Sequence, residues 1–119
     1  MRERPHRRLI VWQKAVDFVK RVYEITAHFP KEEQFALTSQ MRRAAVSIPS
    51  NIAEGAARNT DRDKVNFYYM ARGSLSELDT QIEICDRLKY LNSGEKESSQ
   101  ELMDELSAML NGLIESRRV

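Results

Sequence analysis

Few side chains in this 119-residue sequence have the chemistry to catalyse a reaction or to ligate a metal. His6 falls in a polar stretch near the start, and His28 at the end of a helical pattern, where the helix dipole favours a cation. Neither has a cysteine or a second histidine at ligand spacing, so neither zinc binding nor base catalysis is expected. Cys85, the single cysteine, continues an apolar stripe and has no recognisable basic partner, so it reads as a small core hydrophobe. Glu77, Asp79, Glu83 and Asp86 crowd one segment. A di-iron bundle would need paired Glu-x-x-His motifs on its helices, and the helical segments carry none. The four carboxylates read instead as a solvated face or as charge partners for arginines on other helices. Gly55 and Gly73 are isolated, so no phosphate-cradling loop is present. The expectation is no catalytic residue, no metal, no cofactor and no enzymatic activity.

The basic residues are the stronger lead. Residues 1–72 carry 14 Lys/Arg against 8 Asp/Glu, a net +6, and residues 73–119 carry 5 against 10, a net −5. Two readings are open: a basic face for nucleic acid, or complementary faces within an assembly. Arg2, Arg4, Arg7 and Arg8 form a basic, flexible N-terminal arm over residues 1–8, and Lys14 follows on the first helix. Arg42, Arg43, Arg58 and Arg62 cluster around the second helix and the start of the third. Arginine suits phosphate through bidentate hydrogen bonds, so these nine are the candidate nucleic-acid contacts. For Arg42 and Arg43 an internal position is the alternative, and Glu54 stands four residues before Arg58, where the two can pair.

The elements that must carry these residues are helices. Four glycines, three prolines and 31% charged residues suit a globular chain of long helices with few turns. The basic start is followed by no uninterrupted apolar stretch, and no apolar run is long enough to span a membrane, so a reducing cytoplasm is expected. One domain over residues 1–119 fits the length.

The first helical pattern runs from about Leu9 to His28. Trp12, Val16, Val19, Tyr23 and Thr26 form one stripe, and Val11, Ala15, Phe18, Val22 and Ile25 a second beside it. Phe29-Pro30 ends it. The second pattern spans about Glu32 to Arg58 through Leu37, Met41, Ala44, Ile48 and Ile52, and Pro49 predicts a kink in a continuous helix. The third opens at a capping-box-like Thr60…Asp63 and buries Tyr68, Ala71, Leu75, Leu78, Ile82 and Cys85. Gly73 in its middle, with Ser74, predicts a close backbone approach there. Asn92 and Glu95 cap the fourth helix, whose core stripe reads as Leu102, Leu106, Met109 and Leu113 with Leu110 and Ile114 alongside. Short connections predict an all-α, antiparallel up-down four-helix bundle with a proline-kinked second helix.

Two apolar stripes on one helix exceed what a bundle buries. Self-association through Trp12, Phe18, Phe67 and Tyr68 is one reading, and a thick core closed by tilted helices is the other. Large apolar patches are uncommon on monomers, which favours a homo-oligomer.

The run Val11-Trp-Gln-Lys-Ala15, the block Arg42-Arg-Ala-Ala-Val-Ser-Ile-Pro-Ser-Asn-Ile-Ala-Glu-Gly55 and the segment Gly73-Ser-Leu-Ser-Glu-Leu-Asp-Thr-Gln81 carry a resemblance. Over about residues 9 to 91 the chain resembles the bacterial four-helix bundle proteins related to those encoded in intervening sequences of 23S ribosomal RNA genes, the S23 ribosomal protein family. The resemblance implies an up-down bundle assembling into a ring-like homo-oligomer, a pentamer. It also suggests that Asn51 and Glu54 connect helices or subunits, and similar proteins include retroelement accessory factors with a nucleic-acid-engaging basic ring surface. Where the family pattern has a glycine between Phe35 and Leu37, this chain has Ala36. Taken together, the expected activity is non-enzymatic binding of RNA or another nucleic acid by an oligomer, with an oligomeric protein-interaction scaffold as the alternative and no membrane partner.

Overall fold

The computed structural model describes residues 4–117; Arg2, one of the nine candidate contacts, lies outside the described residues. Four α-helices follow in order: α1 Ile10–Thr26, α2 Leu37–Ala56, α3 Asp61–Arg87 and α4 Ser93–Glu115. Short 3-10 turns occupy Pro5–Arg8 and Lys31–Glu33.

Local chemistry sets both ends of α3 and the start of α4. Asn92 Oδ1 accepts the Glu95 amide at 2.8 Å while Glu95 Oε1 accepts the Asn92 amide at 3.0 Å, a complete capping box for α4. At α3 the forward half forms, Thr60 Oγ1 accepting from the Asp63 amide at 3.2 Å. The α3 end is closed by Lys89, at φ 64°, with the Tyr90 amide donating to the Cys85 carbonyl at 2.9 Å. The second helix starts at Leu37 rather than near Glu32. Lys31–Glu33 bury no side chain, and a helix without an apolar face to pack lacks most of its stability. Ala36 sits at φ −121°, outside the region that needs glycine. Helix α2 continues through Pro49.

Side-chain pairs fix how the helices lie. Lys14 meets Glu105 and Arg21 meets Ser98 between α1 and α4. Arg42 reaches Thr26 from α2 to α1, and Ser47 meets Ser74 and Met41 meets Cys85 between α2 and α3. Arg72–Asn111 and Asp86–Lys96 join α3 to α4. Wherever a helix pair has two contacts, the number falls on one helix as it rises on the other, so those neighbours run antiparallel.

The core differs from expectation in which stripes turn inward. On α1 the stripe Val11, Ala15, Phe18, Val22 and Ile25 is buried, while Val16 and Tyr23 of the other are exposed. On α4 the buried line is Ser99, Met103, Leu106, Leu110 and Ile114, and Leu102, Met109 and Leu113 flank it. The α3 stripe is buried as read. Phe18 and Tyr68, expected at an oligomer interface, are 0% and 1% exposed. A side chain already covered by its own chain has no surface left to bury against another, so both belong to the core.

The close approach predicted at Gly73 is at Gly55. A Cβ at Gly73 would meet nothing within 4 Å, whereas one at Gly55 would lie 2.6 Å from Tyr68 Cε1 and 3.0 Å from the Lys64 carbonyl oxygen. Beside Gly73, Ser74 does touch α2, its Oγ 2.5 Å from Ser47 Oγ.

Candidate nucleic-acid interface and apolar groove

The basic residues divide into those used by the fold and those left at the surface. Arg42 is half-buried and spent on packing. Its Nε donates to Thr26 Oγ1 at 2.9 Å, Thr26 donates in turn to the Val22 carbonyl at 2.7 Å, and the guanidinium stacks over Tyr23 at 4.4 Å. A cation placed beside the last turn of α1 also suits that helix's dipole. Lys14 is paired with Glu105 at 2.7 Å, and the bond holds its ammonium above the ordinary lysine range. Arg58 pairs with Glu54 at 3.0 Å, as their spacing predicts, and lies over the half-buried Phe67 ring at 4.5 Å.

Arg4, Arg43 and Arg62 are exposed and make no ion pair among the described residues. Where a flexible arm was expected, Pro5–Arg8 is a 3-10 turn folded back on the helices. Trp12 anchors it: the His6 ring stands edge-on at 4.8 Å, and the Arg7 guanidinium lies 5.4 Å from the indole centroid. Arg4 then lines a hollow with Ser50, Ala53, Glu54 and Ala57 near the end of α2. Arg58 follows in sequence, Lys64 donates to the Ala56 carbonyl at 3.0 Å, and Arg117 pairs with Asp61 at 3.2 Å. Antiparallel packing therefore collects Arg4, Arg7, Arg8, Arg58, Arg62, Lys64 and Arg117 at one end of the bundle, interspersed with Glu54, Asp61 and Asp63.

Along the α1–α2 face runs an apolar groove of about 320 Å³, lined by His6, Trp12, Val16, Val19, Val46, Pro49, Ser50 and Ala53. Past Val46 it opens into a second hollow bounded by Tyr23, Phe35, Thr38, Arg42 and Arg43. Phe35 is 90% exposed, the most exposed large apolar side chain described. The outer stripe of α1 thus lines a surface groove, and Trp12 keeps its place as a candidate interface residue. Phe35 was missed because it stands outside every helical period.

Of the four clustered carboxylates, Glu83 and Asp86 are paired, while Glu77 and Asp79 lie exposed at the surface. Glu83 accepts from Arg87 at 2.9 Å, and that bond, with the nearby Lys96 charge, holds its carboxyl below the usual range. Asp86 accepts from Lys96 at 2.7 Å. Asn51 Nδ2 donates to the Ser47 carbonyl within α2, and Glu54 accepts from Arg58 just past the end of that helix. Cys85 is fully buried beside Met41, and burial, with the Glu33 charge, pushes its thiol up to about 12. Among the described residues no group of three or more His, Cys, Asp or Glu could hold a metal, and no helix is long and apolar enough to cross a membrane.

The fold and its surface define the class as an all-α four-helix bundle. Residues 7–112 match the sequence profile of the 23S rRNA-intervening sequence protein, and the chain belongs to that family. Among solved structures it is similar to a protein of unknown function from the S23 ribosomal protein family of Bacteroides thetaiotaomicron VPI-5482. The two share 23% identity at a TM-score of 0.82, over 89% of this chain and 96% of that one. No curated protein matches.

Proposed function

We propose that this protein is a non-enzymatic, cytoplasmic homo-oligomer that binds RNA electrostatically through the basic end of its bundle. The observation that carries the reading is the fold-back of Pro5–Arg8, which brings Arg4 beside Glu54 and Ala57 at the end of α2, where Arg58 follows in the chain. Assembly repeats that end once per subunit, and several weak phosphate contacts then act together. Within the nine candidate contacts, Arg4, Arg7, Arg8, Arg58 and Arg62 belong to this surface. Lys14 and Arg42 are committed to Glu105 and to α1, and Arg43 lies beside the groove.

The test is RNA binding by the full chain, by anisotropy, across about 50–200 mM salt, with mass measured in the same buffer. Affinity falls linearly on a log–log plot, and Arg62→Gln or Arg4→Gln each lowers the slope by about 1 while weakening all sequences alike. A flat slope, or no binding at the lowest salt, overturns the reading. The second reading, an oligomeric protein-interaction scaffold, is supported by the pairing of Lys14, Arg42 and Arg58 within the chain. It is favoured if the oligomer ignores RNA.

A further inference from the structure

A groove between two helices accepts a ridge, and the outward side of α3 supplies one. Met70, Glu77, Ile84 and Leu88 recur at seven, seven and four residues, all exposed, on a flank of α3 outside its buried stripe Tyr68, Ala71, Leu75, Leu78 and Ile82. Charge sits in the middle of each surface. Glu77 makes no ion pair or hydrogen bond among the described residues, and neither does the Arg43 side chain beside the groove.

We infer that the Met70–Glu77–Ile84 ridge of one copy seats in the α1–α2 groove of the next, with Glu77 against Arg43. The inference rests on the oligomeric half of the proposed function. It names the faces that meet. The spacings agree: at 1.5 Å per residue, Met70 and Ile84 each lie about 10.5 Å from Glu77. Measured from Arg43, Pro49 lies about 9 Å along α2 in one direction, and Phe35 lies beyond the α2 start in the other. One apolar end of the ridge then falls on Trp12, Val16, Val46 and Pro49, and the other on Tyr23 and Phe35. The sign of the charges also follows the +6 and −5 halves of the sequence. The two faces differ, so the contact is head-to-tail, and repetition closes a ring or extends a filament.

Because each copy owns one groove and one ridge, damaging one of each is diagnostic. Val46→Asp removes the groove and Ile84→Asp the ridge, both at side chains that are already exposed. Each variant alone is monomeric by sedimentation, with wild-type helix content, and an equimolar mixture forms a 1:1 dimer of twice 13.9 kDa. Arg43→Glu or Glu77→Arg alone weakens assembly roughly tenfold, and the double exchange restores it. These two alter only exposed charges, so they decide the matter if either aspartate variant fails to fold. Assembly unaffected by Ile84→Asp and Glu77→Arg, with Val46→Asp monomeric, means the groove meets itself: the inference falls and the oligomer stands. A wild-type chain that stays monomeric at high concentration overturns both.

Discussion

Alanine placed at two helical glycines should move stability in opposite directions. At Gly55 a new Cβ would stand 2.6 Å from Tyr68 Cε1 and 3.0 Å from both Tyr68 Cδ1 and the Lys64 carbonyl oxygen. Tyr68 is 1% exposed, so its ring has no room to swing, and the carbonyl belongs to the α3 backbone. Overpacking of this kind costs about 1–3 kcal/mol, and a backbone obstacle puts Gly55 in the upper part of that range. Alanine's better helix propensity returns about 1 kcal/mol, leaving Gly55→Ala destabilised by about 1–2 kcal/mol. At Gly73 nothing lies within 4 Å of the added carbon, so only the propensity gain of about 1 kcal/mol remains. The two variants should differ by about 2–3 kcal/mol, or about 8–12 °C in Tm for a chain of this length. Thermal and urea unfolding followed by helical circular dichroism reads this directly. All samples need one protein concentration, because the proposed self-association would make the midpoint concentration-dependent. In a Tyr68→Leu background the Gly55→Ala penalty should shrink by about 1 kcal/mol or more, since the ring is the nearest obstacle. Gly55→Ala as stable as the wild type would refute the close approach of α2 and α3 at this point.

Three further outcomes follow from local geometry. Burial raises the folded-state pKa of Cys85 from 9.0 to about 12, and Tyr68, Tyr90, Lys14 and Lys96 are also raised. Groups raised on folding contribute stability below their unfolded pKa and lose it as pH rises through the folded value. The Tm should therefore fall from about pH 9 upward, less steeply at first for Cys85→Ala, and the native thiol should resist alkylation until the chain is denatured. Lys89 holds a left-handed conformation at the end of α3, so Lys89→Gly should raise stability by about 0.5–1 kcal/mol in the same unfolding assays. Arg42→Met keeps a long stem but removes the bond to Thr26. It should cost about 1–2 kcal/mol of stability while leaving the salt slope of RNA binding unchanged, and a lower slope would return Arg42 to the contact surface.

Much of this architecture is legible in the sequence because it is local. The α3 stripe from Tyr68 to Cys85 lies on one side at helical period, and the Asn92–Glu95 cap needs only three residues to close. The alternation of helices with short connections limited the fold to a bundle. The charge division between the two parts of the chain is likewise a property of order alone. Tertiary structure decided what depends on neighbours. Helix α1 carries two adjacent apolar stripes of similar strength, and only the positions of α2 and α4 select Phe18 over Val16 for the core. The one-residue offset of the α4 stripe, from Leu102 to Met103, is a rotation set by packing against α1 and α3. Glycine at position 55 is explained by a tyrosine thirteen residues later, and arginine at position 42 by a threonine sixteen residues earlier. Sequence periodicity records which side of a helix prefers to leave water, but not which partner will cover it. The groove and the basic end each join residues from separate helices, so they exist only once the helices are packed.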